Sequence, residues 1–227
     1  MNWTNSYIIL FVVFFGCKKE EKKSATPPVV EIEEPISYLM EATELQKIYR
    51  RDDIKIIDFR RKEAYQDEHI SEAIQLWRKD IEDPKQHYGG VMATKEQIEK
   101  LFSELGIGNK DTLVIYDDNG LCDSARLWWV LQYYDFKRVR LLHGGLDAWK
   151  MVNGPTTNKD TKLSASKFTL PSPNSGQLYA SKEDVLSALK DSVFILDTRT
   201  LDEFSGKRKK NGAFKGCLLY TSPSPRD

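Results

Sequence analysis

LVIYDDNGLCDSARLWWVLQYYDFKRVRLLHGGLDAW, running from Leu113 to Trp149, is the stretch around which the chain is arranged. Leu113–Tyr116 is an apolar run of strand length with β-branched content, which predicts a buried parallel strand. A polar loop, Asp117 to Cys122, follows it. Ala125, Trp128, Trp129, Leu131 and Gln132 are then spaced three and four apart, as on one face of a helix. Val139–Leu142 reads as a second short strand, and Gly144-Gly145 permits a tight turn into Leu146–Lys150. Strand, loop, helix, strand is a right-handed crossover unit, and such units place function in the loop beyond the strand's carboxyl end.

Working outward, the totals narrow the field. The chain has 227 residues, room for one large domain or two small ones. Lysine plus arginine and aspartate plus glutamate are 34 each, and the resulting zero net charge argues against a nucleic-acid binder. A hydrophobic content of 40% suits a globular protein. His69, His87 and His143 stand alone, and no histidine or cysteine spacing suggests a metal site.

Further elements precede the central stretch. Leu39-Met40 reads as an opening strand, and Thr43 as the cap of a helix through Tyr49. Ile54–Phe59 reads as a buried strand and Lys62–Gln66 as a short helix. Thr94 and Gln97 form a capping box that opens a helix through Leu105, with Ile98, Leu101 and Phe102 inward. The fold class expected is α/β, a central parallel sheet with helices on both faces.

Tyr116-Asp117-Asp118, Ala125-Arg126-Leu127-Trp128-Trp129, and Leu142-His143-Gly144-Gly145-Leu146 with Trp149 together resemble the rhodanese family of sulfurtransferases. The likeness is to the amino-terminal half of its two-domain thiosulfate and 3-mercaptopyruvate enzymes. Asp58-Phe59-Arg60, Tyr65, His69-Ile70 and Ala73 add to it. The chain's opening then recurs. Asp58, Arg60 and Tyr65 reappear as Asp197, Arg199 and Phe204, each 139 positions on, and Ser181 caps a second helix much as Thr43 caps the first. The organisation expected is a rhodanese-like domain over residues 38–153, a linker over 154–177 rich in Pro, Ser, Thr and Asn, and the incomplete start of a second copy over 178–216. Residues 217–227 resemble a reading frame of a sequencing-library adaptor and are read as a non-native tail; a genuine disordered terminus is the alternative.

The amino terminus reads as an address. Tyr7–Phe15 is apolar but short of the roughly 20 residues that span a bilayer. Ending at Gly16-Cys17 before a run of charges, it resembles a bacterial lipoprotein signal: residues 1–16 as signal peptide, Cys17 as the acylated residue, and 17–37 as a solvated tether. An ordinary secretory signal with an incidental cysteine is the alternative. Lipid anchoring at a bacterial membrane, facing the periplasm or cell surface, follows from the first reading.

Sulfur transfer through a persulfide needs a thiolate held by backbone N–H groups and a helix amino terminus. By resemblance the nucleophile directly follows the central strand. Asp117 occupies that place here, so the catalytic cysteine is expected in the second copy, beyond Gly216. Cys122 is a weak candidate, late in the loop and beside Asp117, Asp118 and Asp123, whose charges oppose a thiolate. The resemblance assigns substrate binding to Arg199 and Arg208, whose guanidinium forks suit thiosulfate or a mercaptopyruvate carboxylate. It implies a small anionic sulfur donor, a thiol or cyanide acceptor, and no cofactor. A non-catalytic, tethered rhodanese module that binds a partner or senses sulfur species is the rival reading.

Overall fold

Three nearly unbroken apolar runs become the middle of one parallel sheet. They are β2 (Ile54–Asp58), β5 (Thr112–Tyr116) and β6 (Val139–Leu142). Two-residue strands close the edges, β1 (Leu39–Met40) beside β6 and β4 (Ile74–Gln75) beside β2. The order is β1-β6-β5-β2-β4, and every pairing is parallel. A separate antiparallel pair joins β3 (His69–Ile70) to β7 (Thr156–Thr157). The computed structural model describes residues 38–87, 89–173, 178–191 and 193–207. The expected signal, tether and tail, together with Cys17, Arg208 and Cys217, lie outside the described residues.

Strand residues alternate between two cores, which is why the runs are apolar on both sides. Ile57, Leu113, Ile115 and Leu141 face one core with Ile98, Phe102, Leu127, Val130 and Leu131. Those partners come from α3 (Lys95–Glu104) and α4 (Ser124–Tyr133). Ile56, Val114, Tyr116 and Leu142 face the other core with Leu45 and Trp149. These belong to α1 (Ala42–Ile48) and α5 (Gly145–Met151). Helices therefore cover both faces, as expected, with the short α2 (Lys62–Asp67) between β2 and β3.

The capping box on α3 forms as its spacing predicts: Gln97 N donates to Thr94 Oγ1 and Thr94 N to Gln97 Oε1. Two local expectations are corrected. Thr43 does not cap α1; the N-cap is Glu41, whose carbonyl accepts from Glu44 N and Leu45 N. In α4 the expected Leu131 and Gln132 are buried, but Leu127 and Val130 complete that face with Ser124, whereas Ala125, Trp128 and Trp129 are only half buried. Apolar residues occupy so many of its positions that spacing alone leaves the inward phase open.

Residues 154–171, read as a linker by composition, dock on the domain. Beyond β7, Phe168 and Leu170 are buried, and the Phe168 ring meets Phe102 and Phe136 at 5.0 and 5.3 Å. Ser166 N donates to the Ser103 carbonyl at 2.9 Å and Leu170 N to Glu99 Oε1 at 2.7 Å.

In the second copy, Ser181 caps α6 (Lys182–Ala188) with a full capping box through Asp184. A further turn, α7 (Leu201–Phe204), falls 139 positions after the start of α2. The strand expected over Ile195–Asp197 does not form. Its counterpart β2 lies between β5 and β4, and the described residues of the second copy hold no equivalent of either. Without neighbours a parallel strand has no partners for its backbone groups. Phe194 and Leu196 are accordingly 87% and 71% exposed.

Candidate functional site

The sheet order reverses between β2 and β5, one strand leading outward to β4 and the other to β6. The crevice beyond such a reversal is where open α/β sheets place ligands. Phe59 N donates to the Tyr116 carbonyl at 2.8 Å and ties the two strand ends together there. The loop of residues 117–123 leaves from this point and runs into α4.

The loop is wound around one side chain. Asp117 is 5% exposed, and its carboxylate accepts four backbone N–H bonds. Oδ1 accepts from Asn119 at 2.9 Å and Leu121 at 2.8 Å; Oδ2 accepts from Asp123 at 3.0 Å and Ser124 at 2.7 Å. The last two donors open α4, so the helix's amino-terminal partial charge falls on the same carboxylate. Gly120 and Leu121 take positive φ, 61° and 68°, to turn the chain back over it. On the far side Gly145 has φ 55°, and a Cβ there would stand 2.6 Å from the Asp117 carbonyl oxygen, so any side chain at that position is strained.

Other charges at this edge are also paired. Asp123 is buried and accepts from Arg78 at 2.8 Å and from the Asn119 amide at 3.1 Å. This compensates two of the three carboxylates expected to oppose a thiolate at Cys122, Asp117 by backbone donors and Asp123 by Arg78. The position of Cys122 itself is the stronger objection. Its side chain is exposed, and the four N–H donors that could hold an anion converge on Asp117 instead.

Beneath the loop lies a buried network that sequence reading did not assemble. Asp58 and Arg60 form a two-pronged ion pair, Nε to Oδ1 at 2.9 Å and Nη2 to Oδ2 at 2.6 Å. Tyr116 donates its hydroxyl to Asp58 Oδ2 at 2.6 Å and accepts from Ile70 N at 3.2 Å. Burial opposes the Arg60 charge, but the hydrogen bonds and charge of Asp58 outweigh it and hold the guanidinium pKa above its ordinary value. Burial first, then the Asp58 charge, pushes the Tyr116 phenol up. The Asp-x-Arg spacing marked the pair, but Tyr116 enters only through the Asp58–Tyr116 register of β2 and β5.

Arg199 repeats Arg60. It binds Asp197 through Nε at 3.0 Å and Nη2 at 2.6 Å, and its own N–H donates to Asp197 Oδ1, as Arg60 N does to Asp58 Oδ1. The structure thus pairs the guanidinium with its own motif's carboxylate. His69 is buried, stacked on Tyr65 at 3.6 Å, with Nδ1 2.6 Å from the Tyr65 carbonyl. His143 lies 3.0 Å from Glu41. Among the described residues no cluster of His, Cys, Asp and Glu could hold a metal, and no helix is long and apolar enough to cross a membrane. A cavity of about 440 Å³ between Asn109, Lys137, Arg138 and Leu170 opens at the amino ends of β5 and β6, the opposite edge from the loop.

Comparison with known proteins agrees with this architecture. Residues 41–152 match the model of the rhodanese-like domain. A Mycobacterium bovis protein that carries the name of a thiosulfate sulfurtransferase is 34% identical over 145 residues, 63% of this chain and 50% of the relative. A similarly named Mycobacterium leprae protein is 34% identical over 140 residues, 61% of this chain and 46% of the relative. The chain therefore spans about half the length of the curated relatives it matches. Among solved structures, the Escherichia coli 3-mercaptopyruvate sulfotransferase SseA superposes with a TM-score of 0.67 at 22% identity, over 75% of this chain and 69% of that one. Sheet order, helices on both faces, the loop beyond β5 and the matched span converge: residues 41–152 have the rhodanese α/β fold.

Proposed function

We propose that this chain is part of a sulfurtransferase that moves sulfane sulfur from thiosulfate or 3-mercaptopyruvate to a thiophilic acceptor. The nucleophilic cysteine would belong to a second copy of the domain, whose central loop is not among the described residues. The chemistry is a double displacement. A thiolate attacks the outer sulfur of thiosulfate, the S–S bond breaks, and sulfite leaves with the electron pair. Cyanide or a thiolate then takes the terminal sulfur of the persulfide and restores the thiolate.

One observation carries the reading: the loop after β5 is built to hold an anion. Four N–H groups and the start of α4 surround the side chain at position 117, where the family resemblance places the nucleophile. In this copy a carboxylate fills the position, which supports a domain that keeps the family's loop and does no sulfur chemistry itself. The same geometry in a second copy with cysteine at that position would favour the thiolate and persulfide anions.

This chain is expected to show no appreciable turnover. Incubation with thiosulfate and cyanide, following thiocyanate, tests this beside a Cys122→Ser variant. Turnover that vanishes in the variant would make Cys122 a working nucleophile and overturn the assignment. For the longer protein, a residue other than cysteine after the second copy's central strand would favour the non-catalytic module. Export and lipid anchoring at Cys17 belong to the same proposal: expression in a bacterial host should label the chain with fatty acid, and Cys17→Ser should abolish the label. Lipid label that persists in that variant would refute the site.

A further inference from the structure

The inward side of α4 is used by Leu127, Val130 and Leu131 in the core. Its remaining surface nevertheless carries large rings, and these are arranged in a row. The Arg126 guanidinium lies over the Trp129 ring at 4.7 Å. Trp129 stacks on Tyr133 at 5.9 Å with an interplanar angle of 18°. Tyr133 meets the Tyr179 ring at 5.8 Å. Beside that contact the Trp129 indole N–H donates to the Leu178 carbonyl at 3.0 Å. A half-buried ladder on the domain thus ends on the first two described residues of the second copy.

Among its described residues that copy has no core of its own. Neither α6 nor α7 has a buried residue. Val185 and Leu186 in α6 and its C-cap Leu189 are 41%, 49% and 63% exposed. A seven-residue helix with a good cap but no buried face is marginal by itself. Its order must be borrowed from a neighbour, and the ladder supplies contacts to the first domain just before it.

We propose that the outer face of α4 is a docking seat for the second copy, and that its occupant is the Leu178–Tyr179 stretch of this same chain. The seat reads one backbone carbonyl through the Trp129 N–H and one ring through Tyr133. Arg126 completes it by fixing the Trp129 plane. Because Asp117 holds the first N–H groups of α4, the seat and the loop of residues 117–123 move as one body. The first domain thereby sets where the second copy begins relative to its own sheet edge. This holds whether or not the second copy carries out sulfur transfer.

The test is hydrogen–deuterium exchange of the full chain, read peptide by peptide, for wild type, Trp129→Ala and Tyr179→Ala. Loss of the seat should raise exchange of the Lys182–Lys190 amides about tenfold, as expected from removing a ring pair and a hydrogen bond from a marginal helix. Peptides covering β2 and β5 should not change. Tyr179 lies outside the domain core, so Tyr179→Ala decides the matter even if Trp129→Ala loosens the domain as a whole. Trp129→Phe, which keeps a ring and removes the donor, should give a smaller rise of the same sign. Unchanged α6 exchange in Tyr179→Ala would overturn the proposal.

Discussion

Replacing Asp117 by alanine removes the acceptor of four N–H groups at once. Asp123 N and Ser124 N are buried, and would be left without partners inside the fold. Asn119 N and Leu121 N are partly buried and nearer to water. An unsatisfied buried donor costs about 1–3 kcal/mol, so the two buried groups set the scale at about 2–6 kcal/mol. Loss of a favourable carboxylate at the start of α4 acts in the same direction, by about 0.3–2 kcal/mol. Relaxation of the loop, freed to admit water, offsets part of this. A net loss of about 3–4 kcal/mol is expected, which for a domain of this size lowers Tm by about 10–15 °C. Urea unfolding followed by circular dichroism, with the slope m unchanged, gives the number directly. Asp117→Asn keeps the volume but turns an NH2 towards two donors, so it should lose about half as much. A loss below about 1 kcal/mol for Asp117→Ala would refute the claim that this carboxylate organises the loop.

Other expectations follow from the same geometry. Arg60→Ala leaves Asp58 buried and uncompensated, with an expected loss of about 3–5 kcal/mol, whereas Arg199→Ala, on an exposed copy of the same pair, should leave the domain's unfolding midpoint unchanged. Equal effects would mean that burial does not distinguish the two copies. Gly145→Ala is expected to cost about 1–3 kcal/mol from positive φ and contact with the Asp117 carbonyl, read as a lowered urea midpoint; a neutral outcome would deny the close approach. Burial first, then the neighbouring Tyr133 phenol, raises Tyr134 to about 12, and Tyr116 is raised as well. Phenols raised in the folded state stabilise it below the unfolded pKa near 10, and that contribution drains away as pH climbs from about 10 towards 12. Tyrosinate absorbance should therefore show these two ionising only with cooperative unfolding; smooth titration of every tyrosine near 10 would contradict their burial.

What the sequence conveys here depends on how local the cause is. Leu113–Tyr116 and Val139–Leu142 are strands because any neighbour would bury them, and both form within a residue of expectation. Thr94 and Gln97 satisfy each other across three residues, so their box is equally legible. Val193–Leu196 carries the same apolar signal and makes no strand, since pairing is supplied by chain segments elsewhere. Asp117 was recognisable only as a residue in the place of a nucleophile. That its carboxylate gathers four donors depends on the positive φ angles of Gly120 and Leu121, which no periodicity announces. The Trp129–Tyr133–Tyr179 row was hidden for a related reason, because composition marks aromatics as core and cannot say which of them face another segment.

The strap over residues 154–171 also has a consequence for how the domain is made. The match to the rhodanese-like domain ends at Val152, yet the core between Phe102 and Phe136 closes only when Phe168 and Leu170 are in place. A chain emerging from the ribosome from its amino end would have the whole parallel sheet before it had this last apolar cover. Until the strap arrives, the rings of Phe102 and Phe136 stay open to other apolar surfaces. Final closure then waits on a segment whose proline, serine and threonine content hides it among linkers, and a boundary drawn at residue 153 would leave the domain permanently at that unfinished stage.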